Sequence, residues 1–127
     1  MLQFAEEMLA KSTFLQEHCH DLEQHRDPGE ETPIGMMGDF GLEIASGYET
    51  MTPAERTLIL GLIEQGLLSH DEDVSTAVAT GLIEGLIHRA EVIDGRWEKI
   101  EPDLGPEARA YADAYRNADF FQGTRQE

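Results

Sequence analysis

The chain has 127 residues, of which 26 are acidic and 9 are basic, so its formal net charge is −17. This length suits one domain with a single core, and we assign residues 1–122 to that domain and 123–127 to a flexible tail. So large a negative charge excludes nucleic acid and anionic membranes as partners and favours a cationic one. The chain contains no apolar run long enough to span a bilayer, no secretory signal and only one cysteine, so we expect a cytoplasmic protein.

Apolar residues recur at helical spacing through the first part of the chain. Residues 2–25 carry one apolar stripe and predict a single long helix. The segment "RDPGEETP", residues 26–33, ends it with prolines and a glycine. A second helix is predicted from about Met36 to Tyr48. Because its glycines weaken it in isolation, we expect it to pack closely against a neighbour.

Two further helices have clear starting signals. Thr52, Pro53 and Glu55 provide an N-cap, a first-turn proline and a capping-box glutamate for the third helix. The fourth helix is predicted to begin at Ser69 or Asp71, with the following carboxylates in its first turn. Negative charge is favourable there because of the helix dipole.

The rest of the pattern is also helical, and it predicts an all-α domain of about five helices packed as antiparallel neighbours. Gly81 and Gly85 lie one turn apart in the fourth helix, which would let another helix approach closely. A fifth helix is predicted from Pro106 to about Asp119, whereas the short segment "RWEKIE" is the only strand candidate. The phrases "LILGLIEQGLL" and "VATGLIEGLIH" echo each other, so a helical-repeat arrangement is one form of this fold.

Residues 17–25, "EHCHDLEQH", are the densest group of metal-ligating side chains. On a helix, however, His18 and His20 point about 200° apart, and Cys19 lies on the apolar stripe between them. No second cluster with ligand spacing completes a closed zinc site, and a thiol facing the core is a poor nucleophile. We therefore predict no metal, no cofactor and no enzymatic activity. The alternative is a metal-dependent or thiol enzyme built on these residues and His25.

The negative charge is concentrated in the middle of the chain. Residues 27–88 contain twelve acidic residues and one basic residue, Arg56, a local net charge of −11. Such crowding of like charge opposes the compact state, so a use for the resulting field is expected. Nucleic-acid mimicry and neutralisation of a basic protein are two such uses.

Three segments carry a family resemblance: "GDFG" (38–41), "GLLSHDEDVSTAVATGLIEGLIH" (66–88) and "DLGPEARAYADAY" (103–115). Together they resemble small helical immunity proteins encoded beside bacterial polymorphic toxins, over most of the chain after about residue 33. The resemblance implies a protein that binds a cognate toxin and blocks its activity, and it carries no catalytic residues across.

We therefore expect an immunity protein that covers the active site of a basic toxin acting on nucleic acid. The expected contacts centre on the acidic start of the fourth helix, with Trp97 as an aromatic anchor or, alternatively, as a cap on the core. The predicted partner-binding residues are Asp39, Glu43, Tyr48, Asp71, Glu72, Asp73 and Trp97. The alternative function is an acidic adaptor or regulatory module that binds another cytosolic protein.

Overall fold

The computed structural model describes residues 2–25 and 33–126, with side-chain surroundings for 3–19 and 34–117. In those ranges every regular element is helical, so the all-α prediction is confirmed, and the helices number seven instead of about five. They are α1 Leu2–Lys11, α2 Thr13–His25, α3 Pro33–Gly47, α4 Pro53–Leu67, α5 (72–92), α6 Arg96–Ile100 and α7 Pro106–Gln126. Short 3-10 turns at Tyr48–Thr50 and Glu101–Asp103 follow α3 and α6. None of the described helices is long and apolar enough to cross a membrane.

The first predicted helix is two helices, because the chain restarts at Ser12. The buried Ser12 hydroxyl accepts a hydrogen bond from the Leu15 amide at 3.1 Å, which caps the first turn of α2. A serine inside an apolar stripe therefore acts as a helix start. The break predicted at 26–33 falls largely outside the described residues, and "RWEKIE" forms the short helix α6 instead of a strand.

Helix α4 holds the starts of two other helices with its carboxylates. Thr52 caps α4 as predicted, accepting from the Glu55 amide at 3.1 Å. The Glu55 carboxylate accepts from the Phe14 amide at the start of α2. Farther along α4, the Glu64 carboxylate accepts hydrogen bonds from the amides of Glu107 and Ala108 at 3.0 and 2.7 Å. These two amides lie at the start of α7. Each contact places negative charge where a helix dipole favours it.

Helices α3 and α5 form the tightest contact of the fold, and they run parallel. A Cβ on Gly81 would lie 2.9 Å from Met37 Cβ, and one on Gly85 would lie 2.7 Å from the Gly38 carbonyl oxygen. Further along, Arg89 donates to Ser46 at 3.1 Å. Residue numbers thus rise together along both helices. The prediction of antiparallel neighbours is wrong for this central pair, because close glycine packing carries no information about direction.

The contact with α3 coincides with a change in the winding of α5. That helix is continuous through three segments, Glu72–Thr76, Ala77–Ile83 and Glu84–Val92, and the middle one is a π-helix. Its wider turn includes Gly81 and places the Leu82 carbonyl against Gly41 of α3. The two backbones therefore meet without intervening side chains.

Helix α7 lies parallel to α5 and is joined to it by polar side chains. Tyr111 donates to Glu84 at 2.8 Å, and the hydroxyl of Tyr115 lies 2.7 Å from His88 Nε2. Glu64 and Glu84, the glutamates of the two segments that share the letters "GLIE", both contact α7. Their glycines differ, since Gly61 is exposed whereas Gly81 is buried.

The glycine contacts predict opposite effects for the same substitution at two helical positions. Gly41→Ala would place a methyl group 2.8 Å from the Leu86 amide nitrogen, and closer still to the Leu82 carbonyl. We expect this to lower the free energy of unfolding by about 2 kcal/mol. Outside its own helical turn, Gly61 has no described atom within 4 Å of a Cβ. Gly61→Ala should therefore raise that free energy by about 0.5–1 kcal/mol.

Urea denaturation of both variants, monitored by circular dichroism, measures the two changes. If Gly41→Ala proved as stable as Gly61→Ala, the backbone contact between α3 and α5 would be absent.

Candidate protein-binding surface

The acidic start of α5 is built around one capping carboxylate. Asp71 lies in the extended region at φ −81° and ψ 111°, and its side chain accepts from the Asp73 amide at 3.0 Å. The Ser69 hydroxyl in turn accepts from the Asp71 amide at 3.1 Å. The two residues predicted as possible starts of this helix therefore both contribute: Asp71 is the N-cap, and Ser69 holds the Asp71 backbone amide.

All three carboxylates at this start are exposed, and none forms an ion pair with a described residue. Asp71 keeps its charge while it caps, and Glu72 and Asp73 extend the charge along the first turn. Because no cation among the described residues neutralises them, these groups project a negative field into solvent.

An exposed leucine lies beside these acids, a residue that the sequence-based choice of contacts omitted. Leu68 at the end of α4 is 61% exposed, whereas the preceding Leu67 is partly buried against the core. Two leucines in succession at a helix end point in different directions. That pattern was the available signal for one outward-facing apolar side chain. We define the α5-start surface as Leu68, Asp71, Glu72 and Asp73.

Asp39 and Glu43 lie apart from this surface, on the side of α3 that faces α2. Both are half-buried, and their charges act on the buried thiol of Cys19, whose side chain is 1% exposed. Burial, followed by the charges of Glu43 and Asp39, raises the pKa of Cys19 to about 12. Along α5 they lie level with about residue 86, so the helical rise places them about 20 Å from Asp71.

Tyr48 and Trp97, both among the predicted partner contacts, are core residues and present almost no exposed surface. Tyr48 is 0% exposed and donates to Asp103 at 2.6 Å. Trp97 is 4% exposed, with the guanidinium of Arg116 4.9 Å from its ring centroid. The alternative interpretation of Trp97, as a cap on the core, is the one that the structure supports.

The histidine-rich segment is only partly within the described side chains. His18 stacks on Phe14 with ring centroids 4.1 Å apart, and its Nδ1 lies 2.9 Å from the Phe14 carbonyl oxygen. The side chains of His20 and His25 lie outside the described part. Among the described residues, no group of three metal-ligating side chains comes together.

A polar cleft of about 430 Å³ lies beside α4, and no sequence motif pointed to it. One side is lined by residues of α4: Pro53, Arg56, Thr57, Leu60, Gly61 and Glu64. Asp103 and Gly105 line the other side. We call it the α4 cleft. Its two sides come from segments about forty residues apart in the chain, so no local pattern could reveal it.

Comparisons with protein-family models, with curated proteins and with solved structures find no match to this chain. A functional proposal therefore depends on the chemistry of the two surfaces described above.

The capping role of Asp71 predicts a stability difference between two substitutions that remove the same charge. Asp71→Ala loses the hydrogen bond to the Asp73 amide and should lower the free energy of unfolding by about 1 kcal/mol. Asp71→Asn keeps a capping oxygen and should retain most of that stability. Urea denaturation measures both variants, and equal stabilities would show that the cap contributes nothing.

The raised pKa of Cys19 predicts a loss of stability in alkaline solution. The unfolded thiol ionises near its ordinary pKa of 9.0, whereas the folded thiol stays protonated until about pH 12. The stabilisation is therefore complete below pH 9 and is lost as the pH rises towards 12. Between pH 8 and pH 10 we expect a loss of about 1 kcal/mol that a Cys19→Ala variant does not show.

Denaturant unfolding of both proteins at pH 8 and pH 10 measures this difference. Each protein is compared with itself at the two pH values, so the packing defect of Cys19→Ala, which is independent of pH, cancels. Parallel pH profiles for the two proteins would contradict the burial of a protonated thiol.

Proposed function

We propose that this chain is an acidic helical immunity protein that binds a cognate basic toxin domain in the cytoplasm and blocks its active site. It acts by occupying a surface, without a catalytic residue, a metal or a cofactor of its own. The contact is made through the α5-start surface. Asp39 and Glu43 are left out because they face α2, and Tyr48 and Trp97 are left out because they are buried.

The observation that carries this proposal is the uncompensated charge of the α5-start surface. Three acids elsewhere in the described part are paired with cations: Glu7 contacts Lys11 at 3.0 Å, Glu49 contacts Lys99 at 2.9 Å and Arg96 at 3.4 Å, and Glu91 contacts Arg116 at 2.9 Å. The pair of Glu7 lies within α1, and the others lie near the far end of α5 and around α6. The start of α5 has no such cation among the described residues, so its field is available to a partner.

A surface of this kind suits fast capture of a basic protein. Toxins that act on nucleic acid need a cationic cleft for phosphates, and an acidic partner is steered towards such a cleft at long range. Leu68, three residues before Asp71, adds an exposed apolar side chain whose burial by a partner would slow dissociation. The resemblance to immunity proteins of toxin pairs supports the same role.

The proposal predicts that charge reversal on α5 weakens binding without unfolding the protein. In the double variant Glu72→Lys/Asp73→Lys, Asp71 still caps the helix, so we expect folding to survive. The probe is the protein encoded by the adjacent reading frame, purified and immobilised. We expect the association rate to fall by about tenfold or more at low salt, because each reversed charge opposes steering.

The matched control is Asp94→Lys/Glu98→Lys, which makes the same change of net charge at exposed positions beyond the far end of α5. It should reduce the association rate much less. Raising the salt concentration should bring the wild-type rate down towards that of the α5 variant. Equal effects of the two variants would remove the α5-start surface from the proposal, and failure of the neighbouring product to bind at all would remove the immunity function.

A further inference from the structure

Gly61 differs from the other glycines in the middle of described helices. Gly41, Gly81 and Gly85 are needed because a Cβ would meet the backbone of a neighbouring helix, and Gly66 is needed because of Phe4 and Val78 side chains. At Gly61 a Cβ would meet no described atom outside its own turn, and the residue is exposed. A glycine here weakens α4 without serving the packing of the fold. Gly61 is, however, one of the residues that line the α4 cleft.

Arg56, on the same side of the cleft, has uncommitted hydrogen-bond donors. Its Nε donates to the Tyr48 carbonyl oxygen at 3.0 Å, and its guanidinium lies 4.6 Å from the centroid of the Tyr48 ring. Its two terminal nitrogens form no hydrogen bond or ion pair with a described residue, although the protein carries a net charge of −17. A planar guanidinium held by one nitrogen presents the other two as a fork that suits a carboxylate.

Asp103, on the opposite side, presents an acceptor to the same cleft. One of its carboxylate oxygens accepts from the Tyr48 hydroxyl at 2.6 Å, and the other has no hydrogen-bond partner in the described part of the chain. Burial and the hydrogen bond to Asp103 raise the pKa of Tyr48, so its hydroxyl remains a donor. Tyr48 thus holds the Arg56 guanidinium through its ring and carbonyl oxygen, and the Asp103 carboxylate through its hydroxyl.

We propose that the α4 cleft binds a small zwitterion of the amino-acid type. Arg56 receives its carboxylate, Asp103 receives its ammonium group, and Gly61 leaves room for its carbon atoms. A volume of about 430 Å³ is towards the small end of ligand sites. The field of the whole protein repels a simple anion, and a zwitterion has no net charge for that field to repel. Of the two carboxylates in the cleft, Glu64 accepts from the amides at the start of α7, which leaves Asp103 to receive the ammonium group. Arg56 gives a zwitterion a carboxylate contact that a simple cation cannot make. This site is separate from the α5-start surface and does not depend on the proposed function.

The test is an NMR titration of the full ¹⁵N-labelled chain. The probes are the individual L-amino acids, with propionate and propylammonium as ligands that carry only one of the two charges. At least one amino acid should shift the backbone amides of Gly61 and Gly105 and the Nε–H of Arg56. We expect it to bind about tenfold or more tightly than either singly charged probe.

Two substitutions separate the cleft from the rest of the surface. Gly61→Leu adds a bulky side chain to the lining of the cleft, at a position where a Cβ meets no described atom outside its own turn, and should weaken binding by about tenfold or more. Ala54→Leu adds comparable bulk at an exposed position of α4 outside the cleft and should leave binding unchanged. Arg56→Gln removes the carboxylate fork and should abolish the preference for amino acids over propylammonium.

The proposal is overturned if no amino acid shifts the cleft amides. It is equally overturned if Gly61→Leu, shown to be folded by its spectrum, binds as the wild-type chain does, or if propylammonium binds as tightly as the amino acid.

Discussion

The rest of the fold depends on the contact of two helix backbones, α3 and α5, through glycines. Because Gly41, Gly81 and Gly85 carry no side chains, the helices approach until carbonyl groups of one meet Cα atoms of the other. Two parallel helices cannot be joined by a short turn, so the chain must return between them, and α4 makes that return. The carboxylates of α4 reach the starts of α2 and α7. The helix that connects the parallel pair thus also holds the starts of two others.

Part of the acidity of this chain is structural. Glu55 and Glu64 satisfy backbone amides at two helix starts, Asp71 satisfies a third, and Glu84 accepts from a tyrosine that holds α7. At the three helix starts a carboxylate is especially suitable, because the amides there carry partial positive charge. Counting acidic residues therefore overstates the charge left over for a partner. What matters for binding is the subset that is exposed and has no cation nearby.

Helix starts were readable from the sequence because capping is local. Thr52, Asp71 and Pro106 begin helices where expected. Ser12 carried the same kind of signal, but the apolar stripe ran past it and hid it. The direction of neighbouring helices and the burial of single side chains could not be predicted. Glycine spacing indicates that another helix approaches closely, but it does not indicate whether that helix is parallel or antiparallel. An aromatic residue near a loop, such as Trp97, has the same sequence context whether it faces solvent or the core. The contacts that decide the direction of α5 join residues more than forty positions apart, such as Gly41 and Leu82, and the cation over the Trp97 ring, Arg116, comes from another helix.

The structural and functional interpretations of the acids at residues 71–73 are compatible. A capping hydrogen bond uses the lone pair of one Asp71 oxygen, but it leaves the full negative charge of the group in place. The partial charge of the helix start offsets that field only over the first turn. Glu72 and Asp73 add two more charges at the same site, so the net field outside the helix remains negative. A neutral serine or asparagine could cap this helix, but the chain has an aspartate here, followed by two more acids. Capping alone therefore accounts for one oxygen atom at this surface, and the remaining charge is what a cationic partner would encounter.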